Sequence, residues 1–334
     1  MVLWKLALVC FDTAFTIDLT KLFGASVEKL LQGLRAAAEP TRLRIIALCG
    51  HAELSVTELV MILGQTQPRV SRHLKLLVEG GLLQRNKEGN RAYYRLSNEA
   101  EGADLARMLN DLMPGEDEVH TLDLSRLSSV KADRVRYAES FLDPYSQEII
   151  ELRGMWPPDE VIDKCILELL QDRSIENLLD LGTGTGRILR TIAPFAAKGT
   201  GIDNSLEMLS IARARLDQDG IKNCQVRAGD MYRLPFKQNS FDLITINSLL
   251  RYADEPKKVI AEAARVLEKK GALLIVDLAA HDLSTLRDDY GHSWLGFSEV
   301  EMVEMLSEAN LNVGQVKHID GQKLNVCIWR ASGS

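Results

Sequence analysis

The chain is poor in the residues that would commit it to several functional classes. Its five cysteines (Cys10, Cys49, Cys165, Cys224 and Cys327) are scattered, with no CxxC or comparable pair. Such spacing argues against a disulfide framework or a zinc knuckle and fits a reducing cytoplasm. No stretch approaches the ~18 apolar residues of a membrane span. The opening run MVLWKLALVCFDTAF is apolar for only a few residues before Cys10, is interrupted by Asp12 and has no clear small-residue cleavage site. Residues 1–25 therefore read as an extension packed on the first domain rather than a signal peptide.

What is present is a soluble globular composition, 46% hydrophobic and 26% charged, in 334 residues, a length that favours two domains. Charge is uneven. Residues 65–97 hold seven Lys/Arg and two acids, a net +5, in a chain whose formal net charge is −7. One small module is basic against the trend, which is the electrostatic footprint of nucleic-acid binding.

Around that module the spacing predicts short helices over 26–38 and 40–50. A third, SVTELVMILG, opens on a capping box from Ser55 to Glu58 and closes on Gly64. The next helix, QTQPRVSRHLKLLVEGG, has Val70, Leu74 and Leu77 as its inward stripe, which leaves Gln67, Arg69, Ser71, Arg72, His73 and Lys75 around the outside. LLQRNKEGNRAYYRLS follows as a hairpin turning at Glu88–Gly89–Asn90. Helix, capped helix, basic helix and hairpin in this order make an α+β winged helix-turn-helix. Gln65, Gln67, Arg69, Ser71, Arg72 and His73 are then candidates to reach base edges, and Arg91 on the wing to meet phosphates.

AAAEPTRLRIIALC, ELSVTELVMILGQTQPRVSRHLKLLVEGGLL and the EGNRAYYRLS wing resemble the ArsR/SmtB family of bacterial repressors over residues 26–97. The resemblance implies a homodimer on double-stranded operator DNA, with residues 97–113 at the dimer seam. Ser55 and Thr57 stand where metal-sensing members carry thiols, and His120 is the only histidine between the wing and His281. Hydroxyls are poor ligands for soft metals, so no metal site is expected and the signal must come from elsewhere.

The expected organisation is a winged-helix domain over 26–113, a helical connector over 114–157 and a second domain over 158–334. In the last, strands and helices alternate from ENLLDL to LNVCIWRA, a doubly wound α/β sheet. Its first strand runs into LDLGTGTGR, where Gly182, Gly184 and Gly186 let the backbone turn tightly and approach a ligand. Asp203 ends the second strand, placed to accept ribose hydroxyls, a feature shared with NAD sites. Three features favour another nucleoside: Asp180 before the loop, Asp230–Met231 after the third strand, and a fourth strand ending at Asn247.

LDLGTGTG, GID, GDMYRLPF and FDLITIN together resemble class I S-adenosylmethionine-dependent methyltransferases over residues 158–331. The resemblance implies that Gly182, Gly184, Gly186 and Asp180 serve the methionine moiety. Asp203, with Asn204 beside it, would take the ribose, Asp230 and Met231 the adenine, and Asn247 would border the same crevice. The NPPY or DPPY of amino-methylating enzymes is absent, and Arg251 stands where many small-molecule methyltransferases have a histidine. Residues 279–297 should overhang the crevice, which makes His281, Tyr290 and His292 candidates for contact with a small-molecule acceptor. The whole resembles an ArsR-type repressor fused to a methyltransferase. Two readings follow: a regulator with transferase activity, or a regulator whose second domain only senses S-adenosylmethionine or its product, S-adenosylhomocysteine.

Overall fold

The computed structural model describes residues 27–98, 100–114, 117–142, 154–171 and 173–333; the extension at 1–25 lies outside them. The first module comprises α1 (Val27–Ala37), α2 (Pro40–His51), β1 (Leu54–Ser55), α3 (Val56–Leu63), α4 (Gln67–Glu79), and the hairpin β2 (Leu83–Glu88) and β3 (Arg91–Leu96). Helix α5 (Ala100–Asp111) follows. The capping box at Ser55 and Glu58 forms in both directions, and Gly64 ends α3 at φ 63°, a conformation cheap only for glycine. Val70, Leu74 and Leu77 are buried against Ile45, Leu59 and Leu82, so the periodicity of α4 does set its inward face.

Within the expected helical connector, α6 (Glu118–Leu142) is a single helix of 25 residues. Arg44 grips its Asp123 with two bonds of 2.6 and 2.7 Å, and Arg126 donates to the carbonyl of Ile62 at 2.8 Å, which ties α6 to the first module.

The second module runs α7 (Asp159–Leu170), β4 (Ile175–Leu181), α8 (Arg187–Ile192), β5 (Ala196–Asp203), α9 (Leu206–Gln218), β6 (Cys224–Ala228), β7 (Phe241–Asn247) and α10 (Pro256–Val266). It ends with β8 (Leu267–Leu278), α11 (Thr285–Tyr290), α12 (Glu299–Glu308), β9 (Leu311–Ile319) and β10 (Val326–Gly333). The sheet order is β6-β5-β4-β7-β8-β10-β9. The first five are parallel, while β10 is antiparallel to both its neighbours. Apolar clusters cover both faces, as a doubly wound sheet requires. Strand order reverses at β4, so the crevice beyond the carboxyl ends of β4 and β7 is where a ligand belongs.

The two modules share a polar and largely buried interface. Helix α6 packs on α9 through Val135, Ala138, Met208, Ile211 and Ala214. Arg134 of α6 bonds both Glu58 oxygens, at 2.8 and 2.9 Å, and Asp217 at 2.6 Å. Arg213 of α9 reaches the other way, pairing with Glu53 at 2.9 Å and with Glu88 of the wing, and its guanidinium lies 3.8 Å over the Tyr93 ring. No described helix is long and apolar enough to cross a membrane.

Candidate functional site

The crevice is built by the turn after β4. Gly182, Gly184 and Gly186 all adopt positive φ, at 71°, 53° and 79°. A side chain at Gly182 would strike Leu249, whereas one at Gly184 would meet nothing within 4 Å. The first glycine therefore admits a neighbouring chain, and the second faces open space. Asp203 fastens this turn, accepting from the Gly184 amide at 2.8 Å with one oxygen and from Ser205 at 2.9 Å with the other. Each oxygen still has a lone pair for a further donor. Asn204 beside it is exposed.

Asp180, expected to serve the methionine moiety, has both oxygens engaged by neighbouring hydroxyls. It is buried and accepts from the hydroxyls of Thr183 at 2.6 Å and Thr245 at 2.7 Å, one on each oxygen. Burial raises its pKa, which the two hydroxyls oppose. Its observed contacts brace the glycine turn against β7 rather than present an open carboxylate. Thr183 and Thr245 are the residues that sequence reading missed, because a threonine inside a loop or an apolar strand carries no signal of its own.

Across the crevice, Asp230 is exposed and accepts from the Tyr232 amide at 2.9 Å, while Met231 is partly buried beside it. Asn247 at the end of β7 has its side-chain oxygen buried with no hydrogen-bond partner among the described residues. Ser248 next to it is held at φ 55°, an uncommon conformation for a non-glycine residue and one that often marks a functional turn.

Residues 279–297 are a folded flap. Ala279 bridges to Phe297, α11 lies between them, and the His281 and Trp294 amides donate to Leu295 and Arg251 carbonyls, both at 3.0 Å. His292 is buried and His281 partly buried, whereas Tyr290 packs against the apolar cluster under the sheet. Asp282, Asp288 and Asp289 are exposed. Beneath the flap, Arg251 forms a buried ion pair with Asp277 at 3.1 Å. Asp277 was legible only as a charge at the end of the apolar run ALLIVD.

On the first module, Gln67, Arg69, Ser71, Arg72 and Lys75 are exposed along α4. Two other candidates turn inward. Gln65 donates to Thr41 at 3.2 Å, and His73 sits 3.6 Å from Glu39 with its side chain only 12% exposed. These contacts lock α4 onto α2, which corrects the expectation that His73 lies on the outside. The wing also departs from expectation. Arg91 at its tip is exposed, but Asn86 and Glu88 are buried, Asn86 bonding Gln225 of β6 at 3.4 Å and Glu88 accepting from the Ala228 amide at 3.3 Å. One face of the wing is docked on the second module.

Residues 39–85 match the family described as "Bacterial regulatory protein, arsR family", and residues 172–324 a "Methyltransferase domain". The chain joins an ArsR-family regulatory domain to a methyltransferase domain. Within the latter it is 40% identical over 118 residues to a demethylmenaquinone methyltransferase of Thermotoga maritima, covering 34% of this chain and 49% of that one. It is 28% identical over 127 residues to the uncharacterized methyltransferase YcgJ of Bacillus subtilis, covering 38% and 50%. A phosphatidylethanolamine N-methyltransferase of Cereibacter sphaeroides is 36% identical over 110 residues, covering 33% and 54%. The chain thus spans about half the length of the curated relatives it matches. Relatives with different printed acceptors match at 40% and 36% identity.

Proposed function

We propose that the chain is a homodimeric, DNA-binding regulator of the repressor type whose second domain binds S-adenosylmethionine and methylates a small-molecule acceptor. The observation that carries this reading is the glycine turn at 182–186, strung under Asp203, with open space at Gly184 and the unpartnered oxygen of Asn247 across the crevice. In this reading Asp203 and the exposed Asn204 face the ribose, Asp230 and Met231 flank the adenine, and the three glycines let the backbone approach the methionine part. When bound, the sulfonium supplies an activated methyl group whose bonding pair stays on sulfur. What the protein adds is position and exclusion of water.

The DNA-binding half rests on the exposed row Gln67, Arg69, Ser71 and Arg72 at the start of α4. Dimerisation is supported by α1, where Val27, Leu31 and Leu34 form an apolar stripe exposed by 67%, 42% and 41%. A stripe at that spacing on a helix calls for a partner surface.

A second reading, a cofactor-sensing regulator without turnover, is favoured by the docked wing. Glu88 bonds the amide of Ala228 at the end of β6, and Gly89 lies beside Leu206, three residues after Asp203. The wing thus touches the loops assigned here to adenine and ribose. A ligand shifts DNA affinity only by binding the free and DNA-bound forms unequally, and this contact offers a shorter route than the connector. Operator titration at fixed salt, with S-adenosylmethionine, with S-adenosylhomocysteine and with neither, tests the coupling. One nucleoside should shift affinity by at least about 1 kcal/mol. Three superimposable curves would leave the domains joined but uncoupled. Release of S-adenosylhomocysteine on adding a metabolite pool separates the enzyme from the sensor.

A further inference from the structure

The flap covers a group of polar atoms that have no hydrogen-bond partner among the described residues. His292 is 1% exposed, and neither ring nitrogen has a hydrogen-bond partner among the described residues. His281 accepts from the Leu283 amide through Nδ1 at 3.2 Å, which makes its buried Nε2 the protonated nitrogen, also unpartnered. Arg251 uses Nη1 on Asp277 and leaves its buried Nε–H unpartnered. The groups are neighbours. The His292 ring stands edge-on to Tyr252 at 5.0 Å, and the Arg251 guanidinium lies 5.5 Å from the Tyr252 ring and 5.3 Å from that of Trp156.

Buried polar groups are normally satisfied, and several orphans under one flap describe the complement of a ligand. The set offers donors from Arg251 and His281, and from His292 one donor and one acceptor. Aromatic walls at Tyr252 and Trp156 suit a flat body. Resting on the methyltransferase reading above, we propose that this is the acceptor site and that it takes an ionisable hydroxyl on an unsaturated ring or chain, a phenol or enol, with His292 as the group that receives its proton. The hydroxyl proton moves to the free ring nitrogen of His292. The oxygen's freed pair forms the bond to the methyl group, and the C–S pair stays on sulfur.

The electrostatics fit this order of events. Burial, the Arg251 charge and His281 hold the His292 pKa down to about 4, so the empty site keeps the imidazole neutral and able to accept. Burial and Arg251 lower His281 as well. An oxyanion beside Arg251 reverses that penalty, so proton and negative charge are accommodated together. This assigns to the flap a role that sequence comparison places at the position of Arg251.

The test uses the full chain and 4-nitrophenol, whose phenolate absorbs where the phenol does not, at a pH about one unit below the probe's own pKa. Binding to the wild type should raise the ionised fraction so that the bound probe titrates at least one unit lower, a tenfold change in its ionisation constant. 4-Nitroanisole, of nearly the same shape without the proton, should bind at least tenfold more weakly. His292→Leu loses no hydrogen bond to a described residue, and His281→Asn can still accept from the Leu283 amide, so both should fold. The first should abolish the phenolate signal and the second should weaken it several-fold. A probe bound wholly as the phenol, equal binding of the anisole, no binding of 4-nitrophenol, or an unchanged signal in His292→Leu would each overturn the assignment. Calorimetry with S-adenosylmethionine on the same samples separates the two ideas. Nucleoside binding without the phenolate signal removes only the acceptor site, whereas no nucleoside binding removes the reading beneath it.

Discussion

Arg213 is the residue whose loss should cost the most outside the crevice. Its side chain is 5% exposed and neutralises Glu88, 2% exposed, and Glu53, 11% exposed, while donating to the Val226 carbonyl at 3.1 Å. Arg213→Met keeps the apolar stem over Tyr93 but strands two carboxylates between the domains. Removing one partner of a buried pair costs about 3–5 kcal/mol, most of it the penalty of the charge left behind. Glu88 also fixes the pH dependence. Burial already raises its pKa even though Arg213 opposes the shift, and without Arg213 it must rise further. A carboxyl raised in the folded state gives its full stabilisation below its unfolded pKa and loses it as pH rises through the folded value. The deficit should therefore be larger near pH 8 than near pH 5. Two of the four tryptophans, Trp294 and Trp329, lie in the methyltransferase domain, and Trp156 packs against its apolar cluster. Urea unfolding followed by their fluorescence and by circular dichroism should coincide in the wild type and separate in the variant. Adding Glu88→Gln removes the stranded charge and should restore much of the loss. A cost under about 1 kcal/mol, or further destabilisation by Glu88→Gln, would refute the view that this ion cluster holds the domains together.

Two further outcomes are expected. Arg72→Ala should weaken operator binding by about 1–3 kcal/mol and relax base preference, whereas Arg91→Ala should weaken all DNA alike and flatten the salt dependence, both read by titration over a salt series. Asp203→Ala frees the Gly184 and Ser205 amides and removes the proposed ribose acceptor; calorimetry should show S-adenosylmethionine affinity lower by about 1.5–3 kcal/mol, tenfold or more.

What the sequence determined by itself is whatever rests on local periodicity and backbone chemistry. Val70, Leu74 and Leu77 recur at helical spacing and are buried, Ser55 and Glu58 form their capping box, and the three glycines after β4 take the left-handed turn that only residues without a Cβ adopt cheaply. Those features depend on neighbours a few residues away, so a linear reading suffices. Polar partners depend on distance in space. Asp180 looked like a ligand and is braced by Thr245, 65 residues on; Gln65 looked like a base reader and bonds Thr41. Glu88 read as a turn residue on a solvated wing, yet it is buried on Arg213, 125 residues away. His281 and His292 were legible as polar residues over the crevice, but not that their nitrogens would be sealed under a flap beside Arg251. A charged or amide side chain has the same pattern in sequence whether water, DNA, a ligand or a distant carboxylate satisfies it. Only the packing of the methyltransferase domain against the wing, and of the flap over its sheet, decides which.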